Sequence, residues 1–394
     1  MTPPGSRFDT FAARVFLLGA GTLIGLVLAE SVLRIWPLHI FTVRGNDISL
    51  PANLSIEIDN PRIAGTDRVI RYSRNAIGFR GPPPPADLAS VLSIVTVGGS
   101  TTECLLLSDD HTWPSLLQDE LRAAFPQVWI NNAGFDGHST RGHELLMSKY
   151  IAPMAPDVVL FLAGINDRNG PGNAIDRWMQ EDARGGSYVF NAVHRWRGWD
   201  HGFVAWLAEK SELASSVLNV VRFRRANELG LTHSQLDLSR ARIREVSEES
   251  IQQRLSASEP AAAAFEQAMN RLVDSALEAG ILPVLMTQSL LYGDAIDDQT
   301  GFDLARIELH GGNGLATWRV LELFNDATRR VARTRDVPLI DLARQMPKSS
   351  RFYYDGVHYS KQGAAKVAEV VAAELCPILR DRLSPSPTRT VECP

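Results

Sequence analysis

The chain is poor in sulfur, has no excess of positive charge and offers almost no long apolar run. Three cysteines in 394 residues are too few for a disulfide framework or a cysteine-built zinc site. Lys and Arg number 40 against 45 Asp and Glu, giving a formal charge of -5. Without a basic field, nucleic acid is not an expected partner. A single uncharged run, Val15 to Ala29, excludes a many-pass membrane protein and leaves the remainder soluble. Hydrophobic residues at 45% and charged residues at 22% also exclude a wholly disordered or collagen-like chain. The length allows one large or two average domains and a full buried core.

The N-terminal run reads VFLLGAGTLIGLVLA, with Arg7 and Arg14 before it and Glu30 and Arg34 after it. It is shorter than the roughly 20 residues that span a bilayer. Phe11 to Ala13 and a snorkelling Arg14 lengthen it. Three readings stand: a signal anchor holding the rest outside the cytoplasm, a cleaved signal peptide, or a buried globular helix. The anchor leads. Val27-Leu28-Ala29 is the small-residue site of the second reading. The arginines before the run place the N-terminus inside, and Arg34 and Arg44 beyond it oppose that. Gly21 and Gly25 form one GxxxG, a packing face for two anchors or simply two tolerated glycines. Outside the cytoplasm, Cys376 and Cys393 either pair or stay free. Cys104 is expected as a small buried apolar residue.

Residues 37–90 form a lead-in ending in GPPPP (Gly81 to Pro85), a stiff spacer. From Val91 short apolar runs alternate with helical periods. Strands are expected at Leu92 to Val97, Val128 to Asn131, Val158 to Ala163, Ile281 to Thr287 and Val337 to Asp341. Helices are expected at Trp113 to Phe125, around Leu145 to Ile151, at Ala261 to Ala279, Leu315 to Arg335 and Lys361 to Leu375. This alternation predicts an α/β domain over 91–380 with a parallel five-stranded sheet covered on both faces. Ligands on such sheets bind beyond the carboxyl ends of the strands. Residues 170–260 interrupt the pattern as a helical insertion. They hold Trp178, Trp196, Trp199 and Trp206, then Arg222, Arg224, Arg225, Arg240, Arg242 and Arg244, partly offset by Glu245, Glu248 and Glu249. The charges are expected on a solvated face rather than on nucleic acid or anionic lipid. The tail 384–394 is expected to be disordered.

The polar clusters fall at the predicted strand ends. Ser100 follows Gly98-Gly99, a pair that lets the backbone turn sharply and expose a nucleophile. A serine there also serves as a plain helix cap. The sequence is neither G-x-S-x-G nor a Walker motif. Near the carboxyl end, Asp355-Gly356-Val357-His358 spaces a carboxylate to hold one imidazole nitrogen while the other faces a nucleophile. Asn166, in GIND (Gly164 to Asp167), carries a donor amide. Gly134, after Asn132-Ala133, frees a backbone N–H. Both are candidate oxyanion donors, with ordinary turn chemistry as the bland alternative. His138 and His143-Glu144 lack the second histidine of a zinc protease. No metal and no cofactor is expected. Asp167 is expected to support the Asn166 loop, and Asp341 to act as a structural cap.

Taken in order, GGSTT, NAG, GIND and DGVH resemble the four blocks of the SGNH hydrolases, the GDSL esterase/lipase superfamily. The resemblance covers roughly Val91 to Leu375 and leaves the insertion unmatched. Asn75 to Gly81, NAIGFRG, is similar to the lead-in of bacterial membrane-anchored members. The resemblance implies a flavodoxin-like three-layer αβα sandwich. It implies Ser100 as nucleophile, His358 as base and Asp355 as its orienter. The Ser100 N–H, the Gly134 N–H and the Asn166 side chain would form the oxyanion hole. The first block departs from the family name by placing Gly99 where Asp is usual. Members act on esters of lipids, sugars and polysaccharides, and some transfer acetyl groups.

The expected function is therefore a serine esterase that removes a small acyl group, acetyl for example, from a carbohydrate or cell-surface glycan. It would be held on the periplasmic or extracellular side by its N-terminal helix (1–36), or else secreted. Alternatives are an O-acyltransferase using the same residues, a phospholipid lipase, and a non-enzymatic glycan-binding module with the tryptophans as its platform.

Overall fold

The computed structural model describes residues 5–35, 43–44, 47–48, 50–168, 203–228, 233–309, 312–383 and 393. The apolar N-terminal run lies in a long helix, α1 (Gly5–Ile35). Its segment Phe11–Ile35 has a mean hydropathy of 2.0 and is long and apolar enough to cross a membrane. None of its most apolar window is buried, so the buried-helix reading is overturned. The helix runs past Ala29 because Glu30 and Arg34 form an i,i+4 pair at 2.7 Å. Glu30 also accepts from Ser211 Oγ at 2.8 Å and the Leu213 N–H at 3.0 Å, capping the second of two insertion helices, Phe203–Lys210 and Glu212–Glu228.

The lead-in before the Pro-rich stretch contains packed structure. Leu54–Asp59 (β1) and Val69–Arg74 (β2) pair antiparallel, with Leu54 opposite Arg74. Alternation buries Ile70, Tyr72 and Arg74, and Phe79 and Arg80 follow them into the interior. Asn75 makes the NAIGFRG turn. Its side-chain oxygen accepts from the N–H groups of Ile77 (3.1 Å) and Phe79 (3.2 Å). Arg80 then bridges to Asn132.

Five strands form the central sheet: Leu92–Gly98 (β3), Val128–Gly134 (β4), Val158–Leu162 (β5), Leu282–Met286 (β6) and Leu339–Ile340 (β7). Their order is β7-β6-β5-β3-β4, and every neighbouring pair is parallel. Both faces are covered, so successive residues enter two cores. Ile94, Leu160 and Val284 face one; Val95, Phe161 and Leu285 face the other. Trp113–Leu121 (α3) and Lys361–Leu383 (α7) close the first core through Trp113, Leu117, Val367 and Val371. Thr140–Leu146 (α4), Glu248–Glu278 (α5) and Gly314–Arg335 (α6) close the second. The register sets Gly98 opposite Gly134 on one side and Leu162 on the other. Three strand ends therefore finish level, at one edge of the sheet.

Several boundaries differ from expectation. Helix α5 starts at Glu248 rather than Ala261, because Ser247 caps it and accepts from the Ser250 N–H at 3.2 Å. Burial of Ile251 before Pro260, and of Ala262 and Phe265 after it, carries the helix through the proline. Helix α7 likewise passes Pro377 to reach Leu383. Between the insertion helices and α5, residues 241–247 are not helical: the Arg244 N–H donates to the Arg306 carbonyl, and Ile243 bridges Ile307. Trp178, Trp196 and Trp199 lie outside the described residues, as do the side chains of Arg222, Arg224 and Arg225. Trp206 is exposed. Cys376 and Cys393 are joined by a disulfide across 17 residues, which fixes one point of the tail; residues 384–392 lie outside the described set. Cys104 is buried and free.

Candidate active site

Strand β3 ends at Gly98, and Ser100–Glu103 forms a single turn of helix, α2, capped by Gly99. Gly99 lies in close approach to the Asn166 loop: a Cβ there would stand 2.6 Å from the Asn166 amide nitrogen and 3.2 Å from the His138 carbonyl, so the Asn166 side chain would have to shift. One turn of helix cannot satisfy its own carbonyls, and three other segments supply the donors. Trp113 Nε1 donates to the Thr101 carbonyl (3.1 Å) and Asn132 Nδ2 to that of Thr102 (2.7 Å). Arg80 Nη1 donates to Glu103 (2.6 Å) and Cys104 (3.1 Å).

Ser100 is only 6% exposed. Its Oγ lies 2.7 Å from His358 Nε2, and His358 Nδ1 lies 2.7 Å from Asp355 Oδ2. The other carboxylate oxygen of Asp355 accepts from the backbone N–H groups of Val357 and His358, each at 2.7 Å. Burial opposes ionisation of Asp355. The His358 ring and the two backbone donors outweigh it and hold the carboxyl below its usual range. The three-residue spacing thus folds into a tight turn that presents one ring nitrogen to Ser100.

Asn166 reaches the same edge from the loop after β5, with Nδ2 donating to the His138 carbonyl at 2.9 Å. Its second amide hydrogen has no protein acceptor among the described residues. Gly134 departs from expectation. Its N–H donates to Asn132 Oδ1 at 2.8 Å, so the strand end itself consumes the donor. Gly137, three residues later, has φ 72° and an N–H with no protein partner among the described residues. It immediately precedes His138, the residue that Asn166 grips. Asp167 accepts from the Thr140 N–H (3.0 Å) and Oγ1 (2.6 Å), fixing the start of α4, and burial raises its carboxyl to about 6. Asp341 takes two bonds from Arg329, each at 2.9 Å, away from the serine. Burial pushes the His138 imidazole down to about 3 and that of His143 to about 4, leaving both neutral.

Other residues at this edge were not singled out from the sequence. Glu103 accepts from Arg74 Nη2 at 2.7 Å and Tyr72 Oη at 2.8 Å, with the Arg74 and Glu103 side chains 0% and 6% exposed. The Asp136 N–H also donates to Glu103. Glu103 sits within GGSTTE, where three-residue spacing from Ser100 was the available signal. From the insertion comes His233, whose Nε2 lies 3.4 Å from Asp136 Oδ2 and whose ring centroid is 4.2 Å from that of His358. No motif surrounds it. Asp136, His233 and His358 are the one group of potential metal ligands among the described residues. The ring nitrogens there are engaged by Ser100, Asp355, Asp136 and Tyr354.

Serine, histidine, aspartate and amide donors meet at the carboxyl edge of a parallel α/β sheet, and the family match makes this chain an enzyme acting on ester bonds. The chain belongs to the GDSL-like lipase/acylhydrolase family, which it matches over residues 96–366. No curated protein matches it. It is similar to an acetylxylan esterase from Geobacillus stearothermophilus, at 14% identity over 72% of this chain and 93% of that one, with TM-score 0.40. It is also similar to an alpha/beta hydrolase enzyme from the metagenome of Lake Arreo, Spain, at 16% identity over 72% and 95%, with TM-score 0.39. A lipase/acylhydrolase from Enterococcus faecalis gives 15% identity over 75% and 98%, with TM-score 0.38.

Two predictions follow from the buried groups. Glu103→Gln leaves the Arg74 charge buried without its counter-ion and should lower unfolding free energy by about 3–5 kcal/mol. Urea denaturation checks this, and an unchanged midpoint would refute the role of the pair. His138 and His143 take up protons in the unfolded chain near pH 6.5 but in the folded chain only near 3 and 4. Stability from these groups is therefore complete above pH 6.5 and declines as pH falls toward 4. The urea midpoint should drop over that window, and less steeply in His143→Gln; equal slopes would show that another group titrates.

Proposed function

We propose that this ester hydrolase is a serine esterase that removes a small acyl group, such as acetyl, from a carbohydrate or cell-surface glycan through an acyl-enzyme. The observation that carries the reading is the continuous hydrogen-bond chain from Ser100 Oγ through His358 to Asp355. In this reading Ser100 Oγ attacks the ester carbonyl and passes its proton to His358 Nε2. Asp355 holds the tautomer and stabilises the imidazolium. The free Asn166 hydrogen and the Ser100 and Gly137 N–H groups face the developing oxyanion, with Gly137 taking the part first expected of Gly134. Collapse of the tetrahedral intermediate breaks the ester bond, and His358 returns the proton to the departing alcohol. Water, activated by the same ring, then releases the acid and regenerates Ser100.

A buried serine beside Asn166, His233 and Asp136 suits a short acyl chain on a polar alcohol. Residues 91–380 are the catalytic domain in this reading, with the β1–β2 hairpin built against it. Helix α1 anchors that domain outside the cytoplasm. The Cys376–Cys393 bridge supports an oxidising compartment.

Three experiments test this reading. The full chain in detergent should hydrolyse p-nitrophenyl acetate, and Ser100→Ala should lower kcat by roughly 10⁴-fold or more. Retained turnover in that variant would falsify the nucleophile. With an acetylated glycan as donor and a second glycan present, acetate recovered only as free acid identifies water as acceptor, whereas acetyl on the second glycan identifies a transferase. Fractionated cells should retain the chain in carbonate-washed membranes, with Cys376 and Cys393 resistant to alkylation until reduced. A soluble chain with two reactive thiols there would overturn the placement.

A further inference from the structure

The insertion contributes one side chain directly against the proposed base. His233 is mostly buried and held at both ring nitrogens: Nε2 against Asp136 Oδ2 at 3.4 Å, and Nδ1 against the Tyr354 hydroxyl. Its ring centroid lies 4.2 Å from that of His358, at 42° between planes. The Tyr354 ring stacks on His358 as well, 5.6 Å away and 12° from parallel. The imidazole thus contacts both rings, and those two rings stack on each other. The backbone continues the clamp. The Leu236 N–H donates to the Tyr354 carbonyl at 2.9 Å, and the Tyr354 N–H donates to the His358 carbonyl at 3.1 Å.

The charges around His233 are specific. Asp136 is its direct counter-ion. Asp355 and Glu103 lie further off, both acidic, and Glu103 is itself neutralised by Arg74. Burial opposes a charge on His233, but these carboxylates outweigh it and raise its pKa. With His233 charged, the Asp136–His233 pair presents no net charge to His358. With His233 removed, Asp136 acts on His358 alone.

We propose that His233 is a positioning residue for the esterase reaction: with Tyr354 it fixes the His358 ring in the rotamer that reaches Ser100, and it neutralises Asp136 beside that ring. The inference rests on the reading of Ser100, His358 and Asp355 as nucleophile, base and orienter. It makes the insertion part of the esterase site, since His233 bridges Asp136 and Tyr354 beside His358.

The test is steady-state hydrolysis of p-nitrophenyl acetate by the full chain in detergent, across pH, for His233→Ala, His233→Gln and Ser100→Ala. His233→Ala should lower kcat about 10- to 100-fold with KM nearly unchanged, the size expected when a reacting group is misplaced by about 1 Å. The acid limb of kcat/KM should move to higher pH, because the uncompensated Asp136 carboxylate stabilises the His358 imidazolium. His233→Gln keeps a donor for Asp136 and lets the Tyr354 hydroxyl turn to donate to its amide oxygen, so it should recover most of kcat while keeping the shifted limb. Parent-like kcat and acid limb in both variants would overturn the proposal. So would a loss of kcat with a lowered melting temperature and an unmoved limb, which marks a merely structural role. Turnover surviving in Ser100→Ala would instead overturn the underlying site assignment and the proposal with it.

Discussion

Everything at the reactive edge depends on a backbone that cannot satisfy itself. Helix α2 is one turn long, yet its carbonyls are buried, and each buried acceptor left bare costs about 1–3 kcal/mol. Trp113, Asn132 and Arg80 supply the missing donors from three different parts of the chain. Arg80 is itself held by Asp109 at 2.7 Å, and its neighbour in the network, Arg74, is neutralised by Glu103. The Ser100 turn is thus fixed by charged groups that water cannot easily replace. This explains why residues 54–80 are packed against the domain rather than strung out before it.

The sheet register does the remaining alignment. Because Gly98 stands opposite Gly134 and Leu162, the loops bearing Ser100, Gly137 and Asn166 leave the sheet at one level. The Asp355–His358 turn, just before α7, meets them there. Polar contacts among the loops then set the final distances. Asn166 grips the His138 carbonyl, Asp167 caps α4, and Asp136 joins Glu103 to His233. Rigidity at this edge comes from many bonds of ordinary strength that share residues, so loss of one member disturbs several.

Local chemistry was legible where it had a period or a fixed spacing. The five strands announced themselves as short aliphatic runs, and Ser100, Asn166 and the Asp355–His358 pair by the glycines and polar residues flanking them. From the sequence, helix α5 starts at Ala261, where the strong period begins; burial of Ile251 and Phe265 carries it through Pro260 from Glu248. The NAG block pointed to Gly134, although the strand continues to that residue and Asn132 takes its N–H. Residues 37–90 carry few periodic apolar runs, so nothing local announced the burial of Arg74 and Arg80. Their burial requires Glu103 and Asp109, which are distant in sequence.

By itself the sequence determined the alternation that makes a parallel sheet, the apolar length of α1 and the local turns that carry each reactive group, because these follow from side-chain size, backbone freedom and spacing within a few residues. Only the tertiary structure decided which N–H groups remain free, which cysteines join, and that His233 lies against His358. Those outcomes depend on distances between segments 17 to more than 200 residues apart, and no local pattern encodes them.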